Sequence, residues 1–491
     1  MIRTVPTGDL GLDALLGGGW RLVTRLPGLA SATVVVRGGS GAGKTLVGLQ
    51  VAIELARALD GDIAVACVEI LPTEYAAQIR SARSSLEESH VVVMPASVSD
   101  RPADVATSTE HPRVYIGLLT DLDPEEPNLV ASLETLERDV KRDGGKPAVF
   151  IVDSLIEGYS IGANAPRIMA DALMKFAAQG GYGLVLCEEQ INDAPSPWVF
   201  AADTVLQLGV EPRERGRWIE VRKHRFGPSS TDRHELDLSS AVHPEVFPNP
   251  SAWASKTVPS ILRSHGWAFA QDRRDTSVVF DHPSLSLRQP IQCAFAFVTS
   301  SDGSVARNLA LALQPTRRVS EFDLVIELDA LTHQVEDLVS ATFEVRYVPV
   351  ARGPARALRT LIDRFGATFA KNARQPRRVL IGDLGPVLAA ADALDWVEAV
   401  RVFATLVIES GSQIPVVAYD GQRSGLSRSV LVAYADVCID VDVAPDYVAF
   451  TMIQRWPRTT ERKSINHQTL RNYGKVGPLH ALTRDGTTEV W

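Results

Sequence analysis

The chain has 491 residues, of which 45% are hydrophobic and 22% are charged, as is ordinary for a soluble globular protein. The formal net charge of −9 excludes a general attraction to the phosphate backbone of nucleic acids, so any such contact needs a local basic patch. At about 100 to 200 residues per domain, the length predicts two to four domains.

The cysteines and the hydropathy pattern indicate the compartment. The four cysteines are widely spaced, without a C-x-x-C pair, and are Cys67, Cys187, Cys293 and Cys438. All except Cys293 lie in apolar strand-like runs, which favours buried thiols in a reducing compartment over disulfides or a metal site. Residues 1–20 lack the basic and apolar regions of a signal peptide, and no run approaches 18 apolar residues. We therefore expect a cytoplasmic protein without a membrane partner.

A glycine-rich segment with the pattern G-x-x-x-x-G-K-[ST] occupies residues 38–45. An apolar strand-like run precedes it at 33–36, and a helical run follows at 46–55. This order creates a phosphate site, because glycines let backbone N–H groups turn inward and the helix N-terminus adds partial positive charge. Lys44 is predicted to reach the β- and γ-phosphates of a nucleotide, and the Thr45 hydroxyl to ligate Mg²⁺.

The predicted nucleotide-binding residues of this segment are Gly39, Ser40, Gly41, Ala42, Gly43, Lys44, Thr45 and Leu46. The alternative interpretation is a tight strand-to-helix turn that binds nothing.

Beyond this loop, helices and strands alternate through the first half of the chain. Strand-like apolar runs lie at 63–68, 91–94, 114–117, 148–154 and 184–188, and helical patterns lie at 72–83, 128–142 and 165–179. The alternation predicts an α/β fold with a mostly parallel sheet covered by helices on both faces.

Two carboxylates are expected beside the glycine loop, because ligands of such sheets bind at the carboxyl ends of the strands. Asp153 ends one predicted strand, where it could hold a water on Mg²⁺. Glu69 ends another, where it could orient or deprotonate a water in line with the γ-phosphate. The alternatives are an aspartate that caps a turn and a solvated glutamate.

A basic cluster ends the first half of the chain. Predicted strands at 200–208 and 218–227 are joined by a charged turn, and Arg222, Lys223, His224 and Arg225 lie in the second of them. By composition alone, this cluster is also typical of a charged edge strand that blocks edge pairing.

The first 250 residues resemble the KaiC/RadA branch of the RecA-like ATPases. The motifs that carry the resemblance are T-G-x-x-G-L-D-x-L-L-G-G-G at 7–19, G-G-S-G-A-G-K-T-L at 38–46, V-E-I-L-P at 68–72, V-D-S-L at 152–155, A-D-T-V-L-Q-L at 202–208, K-H-R-F-G at 223–227 and V-F-P at 246–248. The resemblance implies a RecA-like P-loop domain that binds ATP with Mg²⁺. It matches Glu69 with the catalytic base and Asp153 with the magnesium-site aspartate. The family usually carries two adjacent glutamates where this chain has Glu69-Ile70, which implies weak or differently tuned hydrolysis.

The same resemblance implies an oligomer. Lys223, His224 and Arg225 would contact the nucleotide bound by a neighbouring subunit, with Lys223 and Arg225 touching its γ-phosphate. Such a site is completed in trans, which implies a ring, expected to be a hexamer, or a filament.

The second half of the chain repeats the order of elements of the first. Proline-rich residues 243–250 mark a linker, so we predict domains at 1–248 and 249–491. Residues 299–306 take the position of the glycine loop, with Val305 and Ala306 in place of the lysine and threonine, and Asp383 follows Asp153 by 230 residues. We predict two tandem RecA-like P-loop domains, the second degenerate, since this loop cannot neutralise a triphosphate or hold Mg²⁺. An unrelated α/β domain is the alternative.

The leading functional hypothesis is a ring-forming ATPase whose nucleotide state controls assembly and binding of an unidentified protein partner. A DNA-stimulated recombination or repair ATPase is less favoured because of the negative net charge, although K-H-R-F-G is close to the K-N-R-F-G signature of RadA. A third hypothesis is a regulator or scaffold that binds ATP and scarcely turns it over.

Overall fold

The structure is a computed structural model that describes residues 1–68, 70–82, 91–94, 112–118, 129–156, 165–190, 196–211, 216–227, 232–239, 244–255, 257–265, 267, 278–280, 295–315, 323–329, 338–339, 343–350, 353–366, 368–369, 376, 378–389, 392–410, 414, 416–421, 435–443, 447–454 and 459–466. The chain divides into two compact units, Met1–Pro248 and Asn249–Trp491. Among the described residues, no helix is both long enough and apolar enough to cross a membrane.

The first unit is an α/β unit. Its strands are β1 Ile2–Val5, β2 Trp20–Leu26, β3 Leu29–Gly38, β4 Asp62–Cys67, β5 Val91–Val93, β6 Val114–Leu118, β7 Pro147–Ile156, β8 Gly183–Glu189, β9 Thr204–Val210, β10 Arg217–His224, β11 His234–Asp237 and β12 Glu245–Phe247. Its helices are α1 Leu10–Leu16, α2 Lys44–Leu59, α3 Pro72–Ala82, α4 Leu129–Arg142, α5 Ala165–Gly180 and α6 Pro197–Ala201.

One sheet organises this unit, in the order β12-β11-β10-β9-β3-β8-β7-β4-β6-β5. The strands from β9 to β5 are parallel, whereas β10, β11 and β12 extend the sheet antiparallel. Strand β2 pairs antiparallel with the first residues of β3, and β1 pairs with β2. The predicted α/β fold with a mostly parallel sheet is confirmed.

Helices cover both faces of the sheet, which explains why its central strands are apolar at consecutive positions. Leu184 and Leu186 of β8 pack in the cluster that contains residues of α4 and α5. Their neighbours Val185 and Cys187 face the other way, towards Gly48 of α2. A side chain on Gly48 would meet the Cys187 Sγ at 2.7 Å, so this glycine lets α2 lie close on the sheet.

The segment before β9 differs from its prediction. A strand was expected to begin at Phe200, but Phe200 and Ala201 end helix α6 and β9 begins at Thr204. The Ser196 side chain caps the helix by accepting a bond from the Trp198 N–H, and Pro197 suits the first helical position because it needs no N–H partner there. Burial of the Trp198 side chain fixes the turn against the core.

The second unit contains helices α7 Pro250–Trp253, α8 Val258–Ser264, α9 Gly303–Ala312, α10 Pro354–Phe365, α11 Gly385–Leu388 and α12 Ala393–Glu409. Its strands are β13 Val278–Phe280, β14 Phe295–Ser300, β15 Leu313–Pro315, β16 Asp323–Asp329, β17 Leu338–Val339, β18 Phe343–Pro349, β19 Val379–Gly382, β20 Val416–Asp420, β21 Val437–Val443, β22 Tyr447–Gln454 and β23 Thr459–Asn466. The larger sheet has the order β17-β18-β16-β19-β20-β14-β21-β22-β23.

The two sheets share one strand order. We number eight strands of each unit along the chain from the strand before the loop, leaving out β5 in the first unit and β15 and β17 in the second. These strands then lie in the order third, second, fourth, fifth, first, sixth, seventh, eighth in both sheets. In the first unit these are β6-β4-β7-β8-β3-β9-β10-β11, and in the second they are β18-β16-β19-β20-β14-β21-β22-β23. In both, the first six of these strands are parallel and the last two antiparallel.

The same aspartate contact starts the corresponding strands of both units. Asp203 accepts the Thr33 N–H and donates its own N–H to the Thr33 carbonyl, and Asp436 does the same with Phe295. Thr33 and Phe295 therefore occupy equivalent positions, which aligns β3 with β14 residue by residue.

The predicted alignment of residues 299–306 with the glycine loop is wrong in detail. Five residues connect Gly38 of β3 to Lys44 of α2, whereas only Ser301 and Asp302 connect β14 to α9. Val305 and Ala306 therefore lie within α9, with 2% and 0% of their surface exposed. The connection in the second unit is three residues shorter than the glycine loop and contains no lysine, and the shorter turn forms because Asp302 caps α9 by accepting the Val305 N–H.

Candidate functional site

The glycine loop connects β3 to α2 at the carboxyl end of the parallel strands. Helix α2 begins at Lys44, and no side chain caps its N-terminus, because Gly43 stands at the capping position. The first turn of an uncapped helix presents N–H groups and about half a positive charge to an anion. The loop therefore has the backbone chemistry of a phosphate site.

Two glycines set the shape of the loop. Gly41 and Gly43 have φ values of 73° and 99°, in the left-handed region that favours glycine. A Cβ on Gly43 would also meet the Leu238 Cδ1 at 2.2 Å. The residue at 43 must therefore be glycine both for its backbone angle and for its contact with the segment after β11.

Lys44 bends back over the loop. Its Nζ donates a hydrogen bond to the Gly39 carbonyl at 3.0 Å and forms an ion pair with the Glu189 carboxylate at the end of β8. The Lys44 side chain is 8% exposed, while that of Glu189 is 26% exposed. An anion in the loop would compete with Glu189 for the ammonium group.

A cleft of about 460 Å³ opens beside the loop. Its lining residues are Gly41, Gly43, Lys44, Thr45, Leu46, Arg217, Asp237, Leu238 and Ser239. Arg217 at the start of β10 donates to the Gly41 carbonyl at 3.3 Å. The prediction placed glycine-loop residues here but missed Glu189, Arg217 and residues 237–239, because only the pairing of distant strands brings them to the loop.

Asp153 and the first turn of α2 both lie next to Cys187. Asp153 in β7 is in register with Cys187 in β8, and directly paired residues share a face. The Cys187 thiol lies 3.7 Å from the Lys44 carbonyl in the first turn of α2, next to Thr45. The structure thus brings the predicted magnesium hydroxyl and carboxylate to one region.

Tyr75 of α3 adds a hydrogen bond to this region that sequence reasoning missed. Its hydroxyl donates to Asp153 Oδ2 at 2.9 Å, and both side chains are buried. Burial and the Asp153 charge hold the pKa of Tyr75 well above its ordinary value, so the phenol stays a donor. Burial also raises the pKa of Cys67 to about 12, with the Asp153 charge adding to this effect. The thiol and phenol around the carboxylate are neutral.

Glu69, the predicted catalytic base, lies outside the described residues. Its neighbour Val68 donates its N–H to the Asp153 carbonyl at 2.9 Å.

Among the described residues, no group of three or more His, Cys, Asp or Glu side chains is arranged to hold a metal ion. A nucleotide-bound Mg²⁺ needs fewer ligands from the protein, because phosphate and water oxygens fill most of its octahedral shell. The buried Asp153 carboxylate lies beside the first turn of α2 and fits the role of one of these few protein ligands.

The predicted cations Lys223 and Arg225 lie at the other end of the sheet. His224 pairs with Thr204 at the start of β9, whereas Arg217 pairs with Val210 at its end. Six residue steps along β10 separate Arg217 from Lys223, which corresponds to roughly 20 Å. The structure does not bring Lys223 and Arg225 to the glycine loop of their own unit.

Both cations are held by the C-terminus of α6. The Lys223 Nζ donates to the Val199 and Phe200 carbonyls, both at 2.9 Å, and Arg225 Nη2 donates to the Phe200 carbonyl at 3.4 Å. Arg225 Nη1 also lies 3.7 Å from Asp203 Oδ1, and 40% of the Arg225 side chain is exposed. Among the described residues, the nearest carboxylate to either cation is that of Asp203, at 3.7 Å from Arg225.

His224 points into its own unit. Its Nδ1 lies 2.9 Å from the Thr204 hydroxyl, and the residue is buried. Burial, together with the nearby Arg21 charge, lowers the pKa of His224 to about 4, so the ring is neutral near pH 7. The His224 ring packs between β9 and β10, at the end of the sheet away from the glycine loop.

The chain matches no protein-family model and no curated protein sequence. The resemblance to the KaiC/RadA branch therefore stays a prediction from the motifs.

Proposed function

We propose that this chain is a RecA-like ATPase of the KaiC type that works as a head-to-tail ring, with its ATP site in the first unit. The observation that carries the proposal is the uncapped start of α2 behind a glycine loop, with Lys44 folded over that loop. A triphosphate supplies the acceptors that such N–H groups and such a lysine require.

The residues of the loop bind the nucleotide phosphates before the reaction. Backbone N–H groups of 39–45 surround the β- and γ-phosphates, and Lys44 leaves Glu189 to neutralise the γ-phosphate. Arg217 and residues 237–239, which line the same cleft, contact the rest of the nucleotide.

Thr45 and Asp153 would hold Mg²⁺ in this proposal. The ion would supply neutralisation of the phosphate charge. Tyr75 keeps the Asp153 carboxylate oriented, and Glu69 orients the attacking water.

The position of Lys223 and Arg225 supports completion of the site in trans. One end of the sheet carries the phosphate loop and the other carries the two cations, so a single subunit cannot bring them together. A head-to-tail contact between identical subunits can, and such contacts close into rings. Cations that reach the γ-phosphate stabilise the charge of the transition state.

The second unit is proposed to be a RecA-like unit without a phosphate site. Asp302 already caps α9, and the Asp383 carboxylate accepts the N–H groups of Gly385 and Gly421. Tyr419, buried beside these residues, fills the position that Cys187 has in the first unit. Two carboxylates and a phenol in this place disfavour a triphosphate, which leaves the second unit a structural or partner-binding role.

The proposal is tested by the mass of the native protein with and without ATP and Mg²⁺, for the wild type and for Lys44→Ala. ATP-dependent assembly with phosphate release is the expected result for the wild type, and loss of ATP binding and of phosphate release is expected for Lys44→Ala. A wild type that neither binds ATP nor assembles would overturn the proposal. Several-fold stimulation of hydrolysis by single-stranded DNA would instead favour the recombination function.

A further inference from the structure

Asp203 lies where the predicted trans cations are anchored, and Arg25 is its closest partner. The Asp203 carboxylate is buried, with 2% of its side chain exposed, and accepts the Thr33 N–H at 3.1 Å. Arg25 in β2 contributes one guanidinium nitrogen that lies 2.6 Å from Oδ1 and 2.5 Å from Oδ2.

Arg225 approaches the same carboxylate but is not closely paired with it. Its Nη1 is 3.7 Å from Oδ1, and its side chain is more exposed than that of Arg25, at 40% against 27%. The backbone of Arg225 is fixed independently, because its N–H donates to the Asp203 carbonyl at 2.8 Å. Two arginines therefore compete for one buried carboxylate, and Arg25 occupies it.

We propose that Arg25 is a positioning residue for the trans site: it neutralises Asp203 so that this carboxylate does not capture the Arg225 guanidinium, which can then exchange its 3.4 Å bond to the Phe200 carbonyl for a neighbouring subunit's phosphate. The inference rests on the proposed ring ATPase and adds a residue that the motifs did not indicate. Arg25 acts through Arg225 and need not touch the nucleotide.

The physical reason is the strength of a buried carboxylate as an acceptor. Without Arg25, Asp203 keeps a charge with little access to water, and the nearest remaining guanidinium is that of Arg225. Closing a gap of 3.7 Å to a hydrogen-bonded pair needs only a side-chain rotation. An Arg225 captured in this way points into its own subunit.

A double-mutant cycle tests this mechanism. Arg25→Ala is expected to lower kcat for ATP at least about tenfold with a smaller change in KM, because cations at the γ-phosphate act mainly in the transition state. Asp203→Asn removes the charge but keeps an oxygen for the Thr33 N–H. The double variant Arg25→Ala/Asp203→Asn is therefore expected to recover most of the kcat that Arg25→Ala loses. A double variant as slow as Arg25→Ala would overturn the counter-ion role.

Hydrolysis by mixtures of variant subunits gives a second test, whose outcome a merely structural role of Arg25 would not produce. Arg25→Ala subunits keep their own phosphate loop, so Lys44→Ala subunits with intact cations should restore hydrolysis at the mixed sites. Arg225→Ala subunits should not, since both partners then lack a free arginine. Restoration by both partners, or by neither, contradicts the inference.

Two controls separate failure of the inference from failure of the proposed function. Arg142→Ala removes an exposed arginine that pairs with Asp139 on α4, and it should match the wild type. Arg25→Lys should retain most of the activity, because it keeps a charge beside Asp203. A slow Arg225→Ala with a fully active Arg25→Ala would reject the role of Arg25 alone, whereas an inactive wild type would reject the ATPase proposal itself.

Discussion

Lys44 and Glu189 show how one residue pair prepares the loop for a ligand. The ammonium group is bound to a carboxylate and to the Gly39 carbonyl. In the proposed ATPase, nucleotide binding would have to break this ion pair and place phosphate charge near Glu189. The carboxylate therefore opposes the binding that the lysine favours.

We expect Glu189→Gln to bind ATP up to about fivefold more tightly, because partly exposed ion pairs contribute up to about 1 kcal/mol. Calorimetric titration with a non-hydrolysable ATP analogue measures the change. Glu134→Gln on the exposed face of α4 is the matched control and should not alter the affinity. Weaker binding by Glu189→Gln would mean that Glu189 supports the nucleotide.

Two buried histidines make the first unit sensitive to acid. Burial lowers the pKa of His224 to about 4 and that of His234 to about 4. Because these values lie below the ordinary 6.5, the unfolded chain takes up the protons first. The stability that each neutral ring contributes is complete above pH 6.5 and is lost as the pH falls towards 4.

The expected outcome is that His234→Gln gains stability relative to the wild type by about 1–2 kcal/mol between pH 7 and pH 5. Denaturant unfolding at both pH values measures the difference. The comparison must be made between variants, because burial raises the pKa of Asp13 to about 7 and its linkage has the opposite sign. A difference independent of pH would show that the His234 pKa is not depressed.

At the scale of elements, the strand-to-helix turn distinguishes the two units. Gly43 needs a positive φ and contacts Leu238, whereas a Cβ on Gly39 would meet open space. We expect Gly43→Ala to destabilise the first unit by about 1–3 kcal/mol and to weaken ATP binding. Thermal unfolding should show little change for Gly39→Ala. Equal melting temperatures for both variants would contradict the loop geometry.

A buried ion pair ties β16 to β19 in the second unit. Arg378 donates to Asp323 Oδ2 at 2.8 Å and to the Leu313 carbonyl, and both charged side chains are 1% exposed. Arg378→Ala leaves the carboxylate buried and uncompensated, which we expect to cost about 3–5 kcal/mol. Arg401→Ala, which breaks a half-exposed pair with Glu398 on α12, should cost less than about 1 kcal/mol. If denaturant unfolding showed equal losses of stability for Arg378→Ala and Arg401→Ala, the buried pair would not be the stronger of the two.

The sequence predicted the local elements well, because apolar runs and glycine turns are short-range signals. Strands β4, β6 and β8 and helices α3, α4 and α5 lie within one residue of their predicted bounds. A helical pattern at 387–410 predicts one long helix, but the structure ends α11 at Leu388 and begins α12 at Ala393, since a run of apolar residues does not mark an interruption between two buried helices.

The parts that could not be predicted depend on distant pairing. Glu189 reaches Lys44 across 145 residues, and Arg25 reaches Asp203 across 178 residues. No local pattern marks either contact, because register between strands decides it. The shortened loop of the second unit was missed for a related reason, since alignment by residue type cannot show where a helix begins.

At the scale of the whole molecule, the direction of the sheet separates the glycine loop from the two cations that the proposed function assigns to the neighbouring subunit's site. The phosphate loop lies at the carboxyl end of β3, and Lys223 and Arg225 lie near the amino end of β9. Because parallel strands put these groups on opposite sides of the unit, activity should depend on subunit concentration and on the order of contacts in a ring.

Mixing two inactive variants tests this dependence. Lys44→Ala subunits keep the cations and lose the phosphate site, whereas Arg225→Ala subunits keep the phosphate site and lose a cation. In rings assembled at random from equal amounts, about a quarter of the sites combine an intact loop with an intact neighbouring arginine. Steady-state phosphate release should therefore rise towards a quarter of the wild-type rate. Mixing Lys44→Ala with the double variant Lys44→Ala/Arg225→Ala creates no intact loop and should stay inactive, and a mixture no faster than the sum of its parts would show that each subunit completes its own site.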